Sequence, residues 1–432
     1  MRSWAGWTLL LVIGLLPVIL WVMFGPGSSE FSDYESITHS LGELAGLVGM
    51  TMFALAFLLS TRATFIEDLF GGLDKVYVAH GIVGGAALTT ILFHPILLVV
   101  KFLPDDAWTA AQYLLPSKAW SVNFGIIALL GLVFLVSLTL FVKMKYQHWK
   151  FTHTFMGLVF AFAVLHIFLV PIDATKDYIF HGYYAYAIVV TLIGFAGFTY
   201  TLFLKTRWFK SAFYRVESVT KTGADAFEIA LRPEHKPLAY RAGQFVFLRF
   251  YNSRLSKEAH PFSIASKSND PVLRIAVKAL GDYTSRLQDL RPGDKVSVEG
   301  PHGRFSQHTG DRDAVWVAGG IGIAPFLGMA EDLPDSRHRT DLYFSARRPS
   351  ELYFLDRLKA LAARVDAFRV FPWLSNTQGY LTIDGIERTS GPLIDKEFYL
   401  CGPAGLKRSI IAGLLARGVP RSRIHQEEFT FK

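Results

Sequence analysis

The chain has 432 residues, of which 51% are hydrophobic and 19% are charged, and its formal net charge is +8. Its single cysteine, Cys401, excludes an intrachain disulfide, and the lack of a C-x-x-C-H motif excludes covalently attached c-type haem. Part of the positive charge lies in short loops and shows no nucleic-acid-binding pattern, so no nucleic-acid partner is expected.

Six apolar stretches occupy the first half of the chain, and each is long enough to cross about 30 Å of hydrocarbon. They comprise residues 4–24, 38–60, 76–100, 120–142, 151–170 and 183–204. We therefore predict an all-α, six-helix transmembrane bundle over residues 1–210, with the lipid bilayer as its partner.

The loops between these stretches differ in charge. The loop after the first stretch is acidic, whereas residues 143–150 and 205–210 are basic. Because excess Lys and Arg mark the cytoplasmic side, both termini are predicted to be cytoplasmic in a multi-pass protein of the cell membrane. An alternative is that the first stretch is a signal peptide, but it is long for one, and residues 25–29 form no clear cleavage site.

Two of the apolar stretches each contain two histidines, His80 and His94 in the third and His153 and His166 in the fifth. One such histidine is commonly an ordinary core residue, but two matched pairs in lipid suggest partners or a function. Neutral imidazole is the commonest metal ligand, so these two helices predict two haems with two histidine ligands per iron. Without covalent attachment these haems are b-type, and their filled coordination favours electron transfer over oxygen binding.

Helix geometry predicts how the four rings pair. At 1.5 Å per residue, spacings of 14 and 13 residues separate the rings of one helix by about 20 Å. The third and fifth helices run in the same direction, so His80 is expected near His153 at the inner face and His94 near His166 at the outer face. Fourteen steps return to within about 40° of one helix face, but thirteen miss it by about 140°. Either the fifth helix is distorted near Gly157, or its rings approach their haems from different sides.

The second half of the chain changes character at about residue 211. Short β-branched or aromatic runs alternate with turn signals, which predicts a small antiparallel β-barrel over residues 211–308. These runs are residues 214–220, 226–231, 245–251, 273–279 and 295–299. From residue 309 strands alternate with helix-like segments, which predicts an α/β, Rossmann-like parallel sheet over residues 309–432. Its strands are residues 314–318, 341–345, 368–371 and 397–401.

A glycine-rich turn follows the first strand of the predicted parallel sheet. Gly319, Gly320 and Gly322 precede Pro325 and a helix-like run. Such a turn lets the backbone approach a pyrophosphate at the N-terminus of the next helix. The signal is weak alone, since many strand-to-helix turns need glycine, and its position after a barrel-like domain strengthens it.

In this order the motifs resemble those of the NADPH oxidase and ferric reductase family, especially its compact prokaryotic members, over nearly the whole chain. The histidine spacings resemble the family's two haem-binding helices. The other matching segments are a flavin motif at His260-Pro261-Phe262-Ser263, a second FAD-binding stretch from Lys278 through Gly281 to Thr284, a domain-ending turn at residues 300–305, nicotinamide motifs at residues 319–326 and at Cys401-Gly402-Pro403, and a terminal aromatic at Phe429. The resemblance implies a haem bundle, an FAD-binding barrel and an NADPH-binding α/β domain.

The resemblance also implies roles in FAD binding. Phe262 packs on the flavin and Ser263 hydrogen-bonds its reactive edge, which makes Ser263 an expected catalytic residue; an ordinary buried strand is the alternative. His260 either contacts the FAD phosphates or only shapes its loop. Lys278 and Thr284 contact FAD, unless they are a solvated strand charge and a helix cap.

The terminal aromatic implies a second catalytic residue. Phe429 is expected to stack on the isoalloxazine where nicotinamide must enter, and to move aside for it. Phe431 is the competing choice. Cys401 is expected to be a small residue at a strand end near the nicotinamide, without thiol chemistry.

Charge at the end of the second parallel strand bears on the choice of nicotinamide cofactor. A carboxylate there binds the ribose of NADH, whereas arginine accommodates the 2′-phosphate of NADPH. Ser345 and Arg347 end this strand without a carboxylate, which favours NADPH and leaves NADH possible; a surface arginine is the alternative. Arg62, after the second apolar stretch, is either a haem-propionate partner or an interface anchor. The second stretch itself contains no arginine, unlike that of eukaryotic oxidases, so their oxygen-reduction site is not carried over.

Together these features imply a transmembrane NADPH oxidase. Hydride is expected to pass from cytosolic NADPH to FAD, and single electrons then pass through two b haems to an external acceptor, expected to be O2 giving superoxide. Ferric-chelate reduction and electron supply to an external protein are alternatives. No obligate protein partner is evident from the sequence.

Overall fold

The computed structural model describes residues 3–24, 33–103, 106–170, 177–204, 212–252, 255, 258–306, 312–333 and 338–427. Contacts divide the chain into two compact units, Met1–Trp208 and Phe209–Lys432. The three predicted domains, residues 1–210, 211–308 and 309–432, stay predictions, because this division separates only two units.

Within the described residues, the first unit is entirely helical. Its helices are α1 (Ser3–Phe24), α2 (Tyr34–Leu59), α3 (Thr64–Phe70), α4 (Leu73–Val100), α5 (Ala107–Gln112), α6 (Trp120–Phe141), α7 (Tyr146–Thr154), α8 (Met156–Leu169) and α9 (Asp177–Thr199), which a π-helical turn, Tyr200–Leu204, follows. Six spans in this part of the chain are long and apolar enough to cross a membrane when α7 and α8 are counted together. The predicted six-helix bundle is therefore confirmed.

The fifth predicted span is interrupted. The helices α7 and α8 meet at Phe155, whose φ of −67° and ψ of −9° depart from regular helix geometry. His153 lies in the last turn of α7, and His166 lies in the last turn of α8. Of the two alternatives that the 13-residue spacing left open, helix distortion is the one observed, two residues before Gly157.

The core of the bundle is apolar and aromatic. Phe160 of α8 is completely buried, and its ring makes edge contacts with Phe53 and Phe57 of α2. A polar pair also lies in this core, where the hydroxyls of Thr51 and Tyr186 are 2.8 Å apart. This hydrogen bond joins α2 to α9 and offsets the cost of burying both groups.

The second unit begins with a curled antiparallel sheet. Its strands are β1 (Ala212–Lys221), β2 (Ala226–Pro233), β3 (Phe245–Phe250), β4 (His260–Ser263), β5 (Leu273–Lys278) and β6 (Lys295–His302). Their order is β4-β3-β6-β1-β2-β5, and a bridge between Ile264 and Ile275 brings the two edges together. This half-barrel confirms the predicted antiparallel fold. Only β4 was not predicted, since Pro261 breaks the strand pattern and suits an edge strand.

A parallel sheet with crossover helices follows. Its strands are β7 (Ala314–Gly319), β8 (Thr340–Ala346), β9 (Phe368–Leu374), β10 (Glu397–Cys401) and β11 (Ile424–Gln426), in the order β11-β10-β7-β8-β9. The helices of the second unit are α10 (Asp282–Arg286), α11 (Ala324–Glu331), α12 (Leu355–Ala362), α13 (Ser375–Gln378), α14 (Ile383–Ser390) and α15 (Ala404–Ala416). The predicted α/β fold is confirmed, and the three-residue strand β11 is an addition to it.

The barrel and the parallel sheet share an apolar core. Ala242, Ala265 and Ala276 of the barrel belong to the same buried cluster as Trp316 and Phe326 of the α/β domain. Because one buried apolar cluster includes side chains of both domains, separating the domains would expose apolar surface to water, which favours a fixed docking.

Candidate functional site

The four predicted histidines form two pairs in space. The ring centroids of His80 and His153 are 6.1 Å apart, and those of His94 and His166 are 6.0 Å apart. The members of each pair come from α4 and from α7 or α8, as the helix directions predicted. The two pairs lie near opposite ends of the bundle, since the first contacts the C-terminal end of α2 and the second its N-terminal end.

Backbone carbonyls orient three of the four rings. Nδ1 of His80 is 2.9 Å from the Ala56 oxygen, and Nδ1 of His94 is 2.8 Å from the Gly42 oxygen. Nδ1 of His166 is 2.8 Å from the oxygen of Ser121 at the start of α6. A carbonyl only accepts, so each Nδ1 donates, and the neutral ring keeps a lone pair on Nε2 for a metal.

The fourth ring is held differently. His153 stacks on Trp149, with centroids 5.2 Å apart and planes 23° apart, and its Nδ1 is buried without a hydrogen-bond partner among the described residues. Stacking therefore supplies the orientation that a carbonyl supplies to the other three rings.

The spacing of the rings fits an iron between each pair. Metal–imidazole bonds are about 2 Å long, so an ion held between two Nε2 atoms separates the ring centroids by about 6 Å. The described residues contain no group of three or more His, Cys, Asp or Glu that could hold a metal ion alone. A porphyrin supplies the remaining ligands of its iron, so the paired rings fit haem, and their role as haem ligands stays a prediction.

The two predicted nicotinamide motifs lie against each other. In the parallel sheet β7 pairs with β10, and Ala318 is in register with Cys401. A Cβ on Gly322 would lie 2.4 Å from the Cys401 oxygen, and a Cβ on Gly319 would lie 2.6 Å from Pro403. Glycine at these positions lets the two turns touch at the carboxyl edge of the sheet.

This edge suits a pyrophosphate. A 3₁₀ turn, Gly320–Ile323, leads into α11 with Pro325 in its first turn, and Pro403 precedes α15. Gly320 has a φ of 54°, and a Cβ there would meet no atom within 4 Å. Two helix N-termini and an open backbone therefore face the point where the strand order reverses, where such sheets bind nucleotides.

The predicted 2′-phosphate site is at the same edge, with one correction. Ser345 is in register with Gly319, and the exposed Arg347 side chain makes no hydrogen bond or ion pair in the described part of the chain. The expectation that this strand end has no carboxylate was wrong, because a 3₁₀ turn returns Glu351 to it. Glu351 accepts from the Arg347 amide and from the Arg348 guanidinium, both at 3.1 Å, so it is already occupied.

The flavin motif is next to an unsatisfied polar cluster. The rings of His260 and Tyr283 have centroids 3.7 Å apart. The Tyr283 hydroxyl and the Arg249 Nε are buried without hydrogen-bond partners among the described residues. Burial, together with the charge of Glu258, raises the pKa of Tyr283, so its hydroxyl stays a donor. Buried donors of this kind fit an anionic cofactor such as FAD.

Other predicted FAD residues have structural partners within the protein. Phe262 lies in the apolar core of the barrel, and Ser263 beside it is buried. Thr284 Oγ1 accepts from the amides of Leu280 and Gly281, so it caps α10. Their contacts with FAD stay predictions.

Two further predicted residues can be placed. Lys278 Nζ is 3.5 Å from an oxygen of Asp225, so its charge already has a partner within the barrel. Its contact with FAD stays a prediction. Arg62 Nε donates to the Tyr77 hydroxyl at 2.5 Å, just after the C-terminal end of α2.

Of the remaining predicted site residues, the structure describes Cys401, which ends β10. Cys401 is completely buried, and burial raises the pKa of its thiol, which agrees with the expected lack of thiol chemistry. Phe429 and Phe431 lie outside the described residues, so the choice of the stacking aromatic stays open.

Three family models match the chain in order. One described as "Ferric reductase like transmembrane component" matches residues 45–164, one described as "FAD-binding domain" matches residues 212–306, and one described as "Oxidoreductase NAD-binding domain" matches residues 316–411. The chain has the NADPH oxidase/ferric reductase-like architecture that these three models together define. It is therefore a multi-pass membrane electron-transfer oxidoreductase with FAD- and NAD(P)H-binding domains.

Curated relatives match about half of this oxidoreductase. A ferredoxin reductase component of 3-ketosteroid-9-alpha-monooxygenase from Rhodococcus rhodochrous is 28% identical over 51% of the chain and 65% of its own length. A stachydrine N-demethylase reductase subunit from Rhizobium meliloti is 31% identical over 39% of the chain and 52% of its own length. The chain thus spans less than two thirds of either relative.

Solved structures match as well. A flavohemoglobin from Malassezia yamatoensis is 15% identical, with a TM-score of 0.49 over 91% of this chain and 98% of that one. A ferredoxin NADP+ reductase from Neisseria gonorrhoeae is 23% identical, with a TM-score of 0.43 over 50% of this chain and 97% of that one.

Two glycines of the oxidoreductase, not predicted from the sequence, make room for the pair of His94 and His166. A Cβ on Gly46 would lie 2.9 Å from His94 Nδ1, and a Cβ on Gly125 would lie 2.8 Å from His166 Nδ1. The spacing of Gly42 and Gly46 is the small-xxx-small pattern of closely packed membrane helices, so α2 carried a usable signal. Ser121 and Gly125 of α6 have the same spacing of small residues, so α6 carried a similar signal.

Gly125→Ala is expected to displace the His166 ring, because the new methyl group meets an aromatic ring that a backbone hydrogen bond holds in place. Disturbing groups that orient a metal ligand typically lowers metal affinity about 10–100-fold. Haem titration of the purified protein, followed by its visible spectrum, measures the loss. Gly14→Ala in α1 is the matched control, since a Cβ there makes only an ordinary contact, 3.7 Å from Met52. Equal haem affinity in both variants would contradict the assignment.

Proposed function

We propose that the protein is a transmembrane NADPH oxidase that moves electrons from cytosolic NADPH to O2 at the external face, giving superoxide. His80 with His153 and His94 with His166 would hold two b-type haems. The observation that carries the proposal is the two histidine pairs, each about 6 Å between centroids, near opposite ends of an apolar bundle.

The residues support electron transfer rather than oxygen binding at the metal. When bound, FAD converts hydride transfer into single-electron transfer, and haem iron accepts and releases single electrons. Two histidines at each site would both bind the iron, so the protein would leave no ligand position for O2. The carbonyls of Ala56, Gly42 and Ser121 hold the rings in one orientation, which limits rearrangement around the metal.

Loop charge supports a cytoplasmic dehydrogenase. His153 is three residues from Lys150 in the basic segment 143–150, so the positive-inside rule assigns the first histidine pair to the cytoplasmic face. Asp33 and Glu35 are at the other end, where α2 begins near the second pair. An inside-negative potential favours outward electron movement by about 2.3 kcal/mol per 100 mV.

Ferric-chelate reduction is the second candidate, favoured by the ferric-reductase description of the matching transmembrane family model. Purified protein with NADPH and FAD separates the candidates. Cytochrome c reduction that superoxide dismutase inhibits supports the oxidase, and anaerobic ferrous production supports the reductase. Negligible turnover with either acceptor would instead indicate an external protein partner.

A spectrum tests the centre of the proposal independently of the acceptor. A reduced-minus-oxidised spectrum with pyridine haemochrome quantitation should give two b haems per chain. Protein that remains colourless after expression with ample porphyrin would exclude the haem relay while leaving the flavin domain intact.

Arg347→Ala is expected to raise the KM for NADPH about tenfold, because losing a charged hydrogen bond costs about 1.5 kcal/mol or more. The KM for NADH should change little, since NADH has no 2′-phosphate. Steady-state flavin-dependent turnover with each cofactor measures both values. Arg348→Ala is the control, because its guanidinium already pairs with Glu351 at 3.1 Å. A larger effect in Arg348→Ala would move the 2′-phosphate to that residue.

A further inference from the structure

A short segment after the predicted 2′-phosphate site connects the α/β domain to the barrel. Tyr353 is 1% exposed, and its hydroxyl donates to Asp225 Oδ1 at 2.6 Å. Asp225 precedes β2 in the barrel. The Tyr353 ring also covers Gly223, where a Cβ would lie 2.8 Å from it. A side chain of one domain is thus inserted against a turn of the other.

Arg357, one turn later in α12, bridges both domains. Its Nη1 donates to Glu228 of β2 at 2.7 Å, and its Nη2 donates to Glu331 at the end of α11 at 2.6 Å. Its Nε is 3.1 Å from the same Glu331 oxygen. The side chains of Arg357, Glu228 and Glu331 are 30%, 18% and 27% exposed, respectively. One planar guanidinium with several donors therefore ties a barrel strand to a helix of the α/β domain.

The charges around this bridge are matched. Lys278 Nζ lies 3.5 Å from Asp225 and 5.7 Å from the centre of the Tyr353 ring. The hydrogen bond from Tyr353 and the charge of Lys278 lower the pKa of Asp225, and burial raises the pKa of Tyr353. At neutral pH the tyrosine is thus a donor and the aspartate is ionised, as the contact requires.

The backbone of the segment is also constrained. Phe354 has a φ of 61°, a conformation that is uncommon for an aromatic residue. Such conformations persist where the surrounding structure determines them. Phe354 follows the buried Tyr353 and precedes α12, so the unusual residue separates the two contacts with the barrel.

We propose that Tyr353 and Arg357 are positioning residues for hydride transfer, which dock the α/β domain on the barrel so that bound nicotinamide meets the flavin at a fixed distance. This rests on the proposed function, in which NADPH reduces FAD. Neither Tyr353 nor Arg357 is among the residues placed against the nucleotide, so their loss should change the rate of hydride transfer more than nucleotide affinity. A misplacement of about 1 Å is enough to cost about 100-fold in rate.

The test uses the full chain, purified with FAD, under anaerobic conditions. Stopped-flow loss of flavin absorbance with saturating NADPH gives the hydride-transfer rate, and NADP+ titration of the flavin spectrum gives the nucleotide Kd. Arg357→Met should slow flavin reduction about tenfold or more with an unchanged Kd, and Arg357→Lys should recover part of the rate. Tyr353→Phe, which removes one oxygen atom, should also slow the reaction.

Arg417→Met is the matched control. Arg417 pairs with Glu387 and Asp384, so it has two carboxylate partners like Arg357, but all three lie within the α/β domain. NADPH should reduce the flavin of Arg417→Met at the rate of the unmodified protein.

Wild-type rates in both Arg357→Met and Tyr353→Phe would overturn the proposal, as would an equal loss in the control or a rise in Kd that accounts for the whole loss. If Arg357→Met fails to retain FAD, Tyr353→Phe decides alone by the same criteria. Failure of NADPH to reduce the flavin of the unmodified chain would count against the proposed function instead.

Discussion

His94→Leu is expected to abolish reduction of the external acceptor while NADPH still reduces FAD. The substitution removes the Nε2 ligand and the hydrogen bond to the Gly42 carbonyl, and it leaves His166 as the remaining ring of that pair. Leucine is apolar and fits the bundle, so the helices should still pack. Because altering the groups around a ligand already costs about 10–100-fold in metal affinity, loss of the ligand itself should lower external electron transfer by at least about 100-fold.

The measurement separates the two halves of the electron path. Anaerobic flavin reduction by NADPH should proceed at the unmodified rate, and haem quantitation should show loss of the outer haem. His39→Leu serves as control, because His39 is a part-exposed histidine on the same end of α2 whose partner is Glu43. Undiminished external reduction in His94→Leu would remove the relay through this histidine pair.

Gly322→Ala is expected to weaken nicotinamide binding strongly. The new Cβ would lie 2.4 Å from the Cys401 oxygen and 2.8 Å from the Gly402 nitrogen, which are backbone atoms. They cannot move aside easily, because Cys401 ends β10, which pairs with β7 on one side and β11 on the other. Overpacking of this kind costs about 1–3 kcal/mol, or about 5–150-fold in nucleotide affinity.

NADP+ titration and NADPH-dependent flavin reduction measure this effect. Chemical reduction by dithionite should still reduce the flavin and the haems, since the substitution touches neither predicted site. Gly385→Ala in α14 is the matched control, because a Cβ there makes only ordinary contacts, the nearest at 3.4 Å from Trp373. A normal NADP+ Kd in Gly322→Ala would show that the two motifs need not touch for nucleotide binding.

Periodicity and spacing were sufficient for the helices, most strands and the pairing of the histidines. His80 and His94 are on one helix, and rise per residue together with helix direction predicts which ring each one meets. Local chemistry also marks a strand such as Glu397–Cys401, an apolar run that ends at a turn. These features depend on residues close together in the chain, so a sequence pattern records them.

Contacts between distant residues were beyond such reasoning. Tyr353 and Asp225 are 128 residues apart, and Arg357 and Glu228 are 129 apart. Glu351 is only four residues from Arg347 in the sequence, but only the 3₁₀ turn between them brings its carboxylate back to the Arg347 amide. Lys278 was predicted to contact FAD, which stays a prediction, and pairing of β2 with β5 inside the barrel places it 3.5 Å from Asp225, 53 residues earlier in the chain.

The sequence by itself determined a membrane bundle with paired histidines, a barrel and a nucleotide-binding sheet, because burial periodicity and glycine turns are local properties of the chain. Only the tertiary structure decided which carbonyls orient the rings, that the helix breaks at Phe155, and how the α/β domain docks on the barrel. The physical reason is that hydrogen bonds and ion pairs act over a few ångströms, and only folding brings residues separated by a hundred positions within that range.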